Sequence, residues 1–203
     1  MRTLLAAAAI AAALPTVALA QDTATDANIE AGRAPDGSPG FGIEPYFGIM
    51  GGYEQFDDNP YKRVAGIPAA PGGRDFDGGI VQGVVGVNVP LGPVFVGVEG
   101  NATKGFKGDI DWEYGVAGRA GFRLGDSGLI YGKAGYQWVN FDALGNDSRD
   151  FHDITAGLGI EVGPKDIGLG GVTSRSGLRF RLELNSFGDF NSFQPLAGVI
   201  AHF

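Results

Sequence analysis

The chain has 203 residues, 36 of them glycine and none cysteine, with 15 basic against 23 acidic residues and a formal charge of −8. Without cysteine, neither a disulfide scaffold nor a lipid-modified N-terminal cysteine is available, and the acidic balance argues against nucleic acid as a partner. Mean hydropathy is near neutral, so a helical membrane protein is not indicated, whereas a barrel that hides its apolar residues in alternation is compatible.

Arg2 is followed by an uncharged run over 3–20 dominated by Leu and Ala, broken by Pro15 and ending Ala18-Leu19-Ala20. This reads as a signal peptide over 1–20, cleaved before Gln21. The run is too short and too interrupted for a membrane helix, which needs roughly 20 apolar residues. Removing it takes away one Arg and leaves 14 basic against 23 acidic residues, a formal charge of −9. The next segment, 21–40, is rich in Asp, Thr, Gly and Pro, with little apolar content beyond Ala and Ile29. It is expected to be a disordered periplasmic segment.

From there the pattern has period two. Strands are expected over 46–54, 80–89, 94–102, 112–124, 129–139, 152–162, 178–186 and 195–203. In the fourth, Trp112, Tyr114, Val116, Ala120, Phe122 and Leu124 share one parity while Glu113, Arg119 and Arg123 share the other. Such a strand has an apolar face and a charged face. Most of the eight have the roughly 9–11 residues that a tilted strand needs to cross a bilayer. The connections at 90–93 and 125–128 are tight turns, whereas 55–79, 103–111 and 140–151 are longer, polar and rich in Gly and Asp. Short turns on one side and long loops on the other fit an outer-membrane barrel; 163–177, long for the turn side, and 187–194, short for the loop side, are exceptions. An even strand count puts both ends of the barrel on the turn side, expected to be periplasmic.

The fold class expected is therefore all-β, an eight-stranded antiparallel up-and-down transmembrane barrel over 41–203. Glu54, Glu99, Glu113, Arg119, Arg123, Lys133, Asp153, Glu161, Arg179, Arg181 and Glu183 each fall on one parity of their own strand, read as the lumen face. The other parity carries Val85, Val96, Val98, Ile130, Leu158, Leu182 and similar residues, read as the lipid face. A soluble barrel would alternate too, with its apolar parity inward. Aromatic residues near strand ends (Phe47, Tyr53, Trp112, Tyr114, Phe122, Tyr136, Trp138) favour the membrane arrangement, in which interfacial girdles occupy such places.

Four stretches in order, Tyr46-Phe47-Gly48, Phe95-Val96-Gly97-Val98-Glu99-Gly100, Tyr131-Gly132-Lys133-Ala134-Gly135-Tyr136 and Gly198-Val199-Ile200-Ala201-His202-Phe203, give the chain a family likeness over about 42–203. It resembles the small eight-stranded outer-membrane proteins of Gram-negative bacteria, the opacity-type surface antigens related to the barrel of outer membrane protein A. The resemblance implies an outer-membrane location, and contact with outer-membrane lipid and lipopolysaccharide. It also implies that a final strand with an aromatic end, here Gly198, Ile200 or Val199, and Phe203, is read by the barrel-assembly machinery. No peptidoglycan-gripping domain follows the strands, so cell-wall anchoring is not implied.

An eight-stranded barrel has room only for its own side chains, so the inward charges Glu99, Glu113, Arg119, Arg123, Lys133, Glu161, Arg179, Arg181 and Glu183 are expected to form a paired network. Glu99, Arg119 and Glu183 lie at comparable heights and form its expected centre, with Lys133, Arg179 and Arg181 nearby. No catalytic activity, cofactor or metal is expected. His152, on the lipid parity beside Asp153 and Asp150 and close to Ser148, does not converge into a hydrolase site, because neighbours on a strand face opposite ways. His202, on the lumen parity, is expected to make a lumen hydrogen bond. The acidic stretches 54–58 and 142–147 lack the denser carboxylate series of a calcium loop. The function expected is a structural, surface-exposed outer-membrane barrel. The alternatives are a narrow small-solute or ion pore, and an adhesin or receptor binding a host or phage surface ligand through loops such as 55–79, with Tyr61, Lys62 and Arg63.

Overall fold

The computed structural model describes residues 42–56, 76–108, 110–125, 127–141, 150–164, 177–188, 190 and 192–203. The expected leader and N-terminal segment over 1–40, and most of the connections 55–79, 140–151 and 163–177, lie outside the described residues. Eight strands follow one another: β1 (Glu44–Phe56), β2 (Asp77–Leu91), β3 (Val94–Gly108), β4 (Ile110–Leu124), β5 (Gly128–Phe141), β6 (Phe151–Val162), β7 (Leu178–Phe187) and β8 (Ser192–His202). Each pairs antiparallel with its neighbour in sequence, and β8 closes on β1 from Tyr46–His202 to Phe56–Ser192, so no edge is left open. Gly92 and Gly125, at φ +74 and +58, take the left-handed conformation that the two tight turns require.

All eight expected strands are present, but several run further. The expected loop over 103–111 is mostly strand: β3 continues to Gly108 and β4 begins at Ile110. The pattern broke there because each strand carries a bulge. Gly79 pairs with Lys107 and Ile80 with Gly105, leaving Phe106 extra. Ile110 pairs with Phe141 and Trp112 with Asn140, leaving Asp111 extra. One unpaired residue reverses the faces beyond it, which reads in sequence as loss of alternation.

The two faces are inverted relative to a water-soluble barrel. Outside, Val85, Val98, Leu158 and Leu182 are 55–65% exposed. Inside, Glu99, Glu113, Glu161, Arg119, Arg179 and Arg181 are all buried. An apolar surface of that extent, encircling a charged interior, is the pattern of a transmembrane β-barrel. No helix among the described residues is long and apolar enough to cross a membrane. An apolar spine of Met50, Val84, Ile80, Leu196 and Ile200 lines one inner wall across β1, β2 and β8. It rises to a lid at the loop end, where Phe56, Phe76, Phe141, Phe151 and Phe187 gather. Ring centroids there are 4.6 Å apart for Phe76 and Phe141 and 5.3 Å for Phe56 and Phe141.

Candidate functional site

The lumen is charged because each strand must send alternate residues inward, and on β3 to β7 those positions hold Glu, Arg and Lys. At mid-height they meet as one network. Arg119 reaches Glu161 through Nη2 at 2.7 Å and Glu99 through Nη1 at 3.2 Å. Arg181 reaches the same two carboxylates, Glu99 at 2.5 Å and Glu161 at 2.8 Å, and lies 3.8 Å from Glu183. Lys133 pairs with Glu99 at 3.2 Å and also with Glu183. Toward the turn end, Arg179 holds Glu44 at 2.9 Å, and His202 places Nε2 2.7 Å from Glu161 Oε2 and Nδ1 3.0 Å from Glu44 Oε1. Four carboxylates thus meet four cations, with His202 between two of the carboxylates, in a space sealed from water.

Two tyrosines complete this layer. The Arg119 guanidinium lies 3.8 Å from the Tyr131 ring centroid and 5.0 Å from that of Tyr46, a cation–π sandwich. Their hydroxyls donate onward, Tyr46 to Glu99 at 2.9 Å and Tyr131 to Glu183 at 2.7 Å. Both rings lie against glycine. A Cβ on Gly86 would come within 2.3 Å of Tyr46 Cζ, and one on Gly159 within 2.3 Å of Tyr131 Cζ. Gly159→Ala is therefore expected to push the Tyr131 ring off Arg119 and to lower stability by about 1–3 kcal/mol, as overpacking does. Urea titration with near-ultraviolet circular dichroism of the tyrosines checks this; an unchanged midpoint and spectrum would show that the ring has room to spare.

Above the ion pairs lies a layer of amides and carboxylates. Gln82 donates to Thr103 at 3.0 Å, Gln137 to Glu113 at 3.1 Å, and Asn185 to Glu183 at 2.8 Å and to Gln194 at 3.1 Å. The phenylalanine lid covers this layer.

Of the nine residues expected in the network, Glu99, Arg119, Lys133, Glu161, Arg179, Arg181 and Glu183 come together. Glu113 is buried in the amide layer instead, with no ion pair among the described residues, and Arg123 is half-buried at the turn end. The expected centre of Glu99, Arg119 and Glu183 differs in detail. Arg119 binds Glu99 and Glu161, and Glu183 is met by Lys133, Arg181 and Tyr131. Matching heights along strands left open which residues meet around the circumference. Glu44 was missed because the first strand starts two residues earlier than expected; parity with Glu54 and Lys133 would have pointed to Glu44, Tyr46 and Tyr131.

The last strand divides its three expected residues between faces. Ile200 is fully buried on the lumen side, opposite in parity to Phe203, which is 61% exposed and stacks on Phe47 at 5.6 Å. Val199, not Ile200, shares the outer face with Phe203.

Outside, toward the loop ends, Tyr114 stacks on Trp138 at 5.3 Å and Lys104 lies 4.8 Å from the Trp112 ring. The Tyr114 hydroxyl, donating at 2.5 Å, and the Asn140 amide, at 3.1 Å, hold the Asp150 carboxyl below the usual carboxylate range. His152 is outward and in contact with the Tyr136 hydroxyl at 2.5 Å; Ser148 lies outside the described residues, as do 57–58 and all of 142–147.

No family model matches the sequence, and no curated protein matches it. Solved structures of small outer-membrane barrels do resemble it. Neisserial surface protein A (NspA) is 16% identical over 80% of this chain and 99% of its own, with a TM-score of 0.47. Ail, the attachment invasion locus protein of Yersinia pestis, is 19% identical over 78% and 98%, at 0.44. The N-terminal β-barrel domain of Pseudomonas aeruginosa OprF is 12% identical over 79% and 97%, at 0.45. These are likenesses of fold.

Proposed function

We propose that this protein is an integral outer-membrane barrel with a structural and surface role, whose lumen is a plug and whose contacts with the surroundings are made from outside. One observation carries the reading: the cross-section is filled at two heights, by the ion-paired layer around Arg119 and Arg181 and by the lid of five phenylalanines. Balanced charges that saturate one another hold strand register and leave little for a permeant ion to bind. The lipid-facing belt and the Tyr114–Trp138 girdle seat the barrel in lipid and lipopolysaccharide, and the outer face of β8, with Val199 and Phe203, is offered to the barrel-assembly machinery. No catalytic step is assigned to any residue.

The purified barrel in planar bilayers is expected to show no large, reproducible conductance steps at neutral pH; such steps would replace the plug by the pore reading. Membrane fractionation, with a gel shift between unboiled and boiled samples, tests the location, and a soluble periplasmic protein would overturn it.

A second reading, attachment to a partner through the loop ends, is favoured by Phe190. It is 82% exposed and sits at φ +61, a backbone conformation that a bulky residue rarely keeps without cause. Loss of cell or ligand binding on Phe190→Ser, with an unchanged fold, would support it.

A further inference from the structure

Glu54 and Glu113 stand apart from the ion-paired layer. They come from β1 and β4, which are not neighbours in the barrel, and are 1% and 0% exposed. The Nε2 of Gln194 donates to Oε2 of both, at 2.8 Å and 3.0 Å. The two carboxyls thus share a single amide donor, and Glu113 Oε1 has no hydrogen-bond partner among the described residues. Among the described residues the groups facing the pair are neutral: Gln194 from β8, Gln137 from β5, and Thr103 from β3, register partner of Glu113 and itself bonded to Gln82 of β2. The way to the charged layer runs through Asn185 to Glu183, which Lys133 already occupies. Among the described residues no ion pair reaches either carboxyl.

Two ionised carboxylates offer only acceptors, so this pair can be tied together only with a proton on one of them. Two bare charges side by side, with no cation, would repel one another and each lose its hydration. Two residues beyond Glu54 on β1 is Phe56, whose ring meets Phe141 and Phe187 in the lid.

We propose that Glu54 and Glu113 hold one proton between them and form a latch across the lumen, tying β1 to β4 beneath the phenylalanine lid. Withdrawing the proton turns the tie into a repulsion directly under Phe56, so the lid loosens as pH rises and tightens as it falls. The latch rests on the reading of the lumen as closed; the shared proton does not.

Infrared spectroscopy of the barrel in lipid vesicles reads the proton through the carbonyl stretch of an un-ionised carboxyl group, and planar-bilayer recording reads the lid. Wild type is expected to show the band at neutral pH. The band should fade as pH rises, with small conductance steps appearing over the same range. The double variant Glu54→Gln/Glu113→Gln should lack it. Glu113→Gln alone supplies Glu54 with a permanent amide donor and should stay closed at every pH; the gel shift confirms that each variant is folded. Absence of the band in wild type, or its survival in the double variant, overturns the shared proton whatever the conductance. Large steps at neutral pH with the band present overturn the closed lumen and the latch with it, leaving the proton in place.

Discussion

Arg181→Met is expected to cost the folded barrel about 3–5 kcal/mol, the loss typical when one partner of a buried ion pair is removed. Its guanidinium is fully buried and reaches Glu99 at 2.5 Å and Glu161 at 2.8 Å, with Glu183 at 3.8 Å. Methionine fills much of the volume and leaves carboxylates of like charge facing one another where water cannot reach them. Arg119 and Lys133 remain on the same carboxylates and Arg179 on Glu44, so four carboxylates are then left with three cations. The folded fraction after urea titration in lipid vesicles, read by gel migration, measures the cost. Adding Glu161→Gln to Arg181→Met should return part of it, since the excess negative charge is then gone. A single variant as stable as wild type would show that the network is incidental to the fold.

Leu158→Arg is expected to cost about 2–4 kcal/mol, as a cation on the lipid face near the bilayer midplane does. Leu158 is 65% exposed on β6, paired at mid-strand with Gly132 and Leu184. In a water-soluble barrel an exposed leucine could become arginine within about 0.5 kcal/mol, because surface changes away from special features are nearly neutral. The two solvents therefore give different answers for one substitution. Phe106→Arg is the control: Phe106 is 69% exposed on the β3 bulge near the loop end, where the depth penalty falls to about 0–1 kcal/mol. Equal small losses at both positions would deny the belt its lipid.

The eight strands and their faces were legible because one parity carries Val98, Leu158 and Leu182 while the other carries Glu99, Glu161 and Arg181, and a period of two needs only local sequence to appear. The bulges at Phe106 and Asp111 were not, since an unpaired residue shows in sequence only as a fault in the pattern. Partners around the lumen were harder still. Arg119 and Glu161 lie 42 residues apart, and nothing in either strand says that β4 and β6 face one another at that height. The amide layer escaped notice because Gln137, Asn185 and Gln194 carry no charge to mark them, although each occupies a lumen position. Of the alternatives Ile200 and Val199, only Val199 shares a face with Phe203, because the odd spacing of Ile200 and Phe203 puts them on opposite faces.

The seam between β1 and β8 joins the two ends of the barrel sequence: across it Gln194 meets Glu54 from 140 residues away, and Arg179 of β7 reaches past β8 to Glu44 from 135. Such long-range contacts carry a large loop-closure entropy and give nothing back until nearly every strand is in place. An open sheet, not yet curled shut, would leave Glu99, Arg119 and Arg181 facing lipid with their partners on other strands out of reach. Insertion and closure should therefore be a single cooperative event, with no stable barrel of six or seven strands along the way.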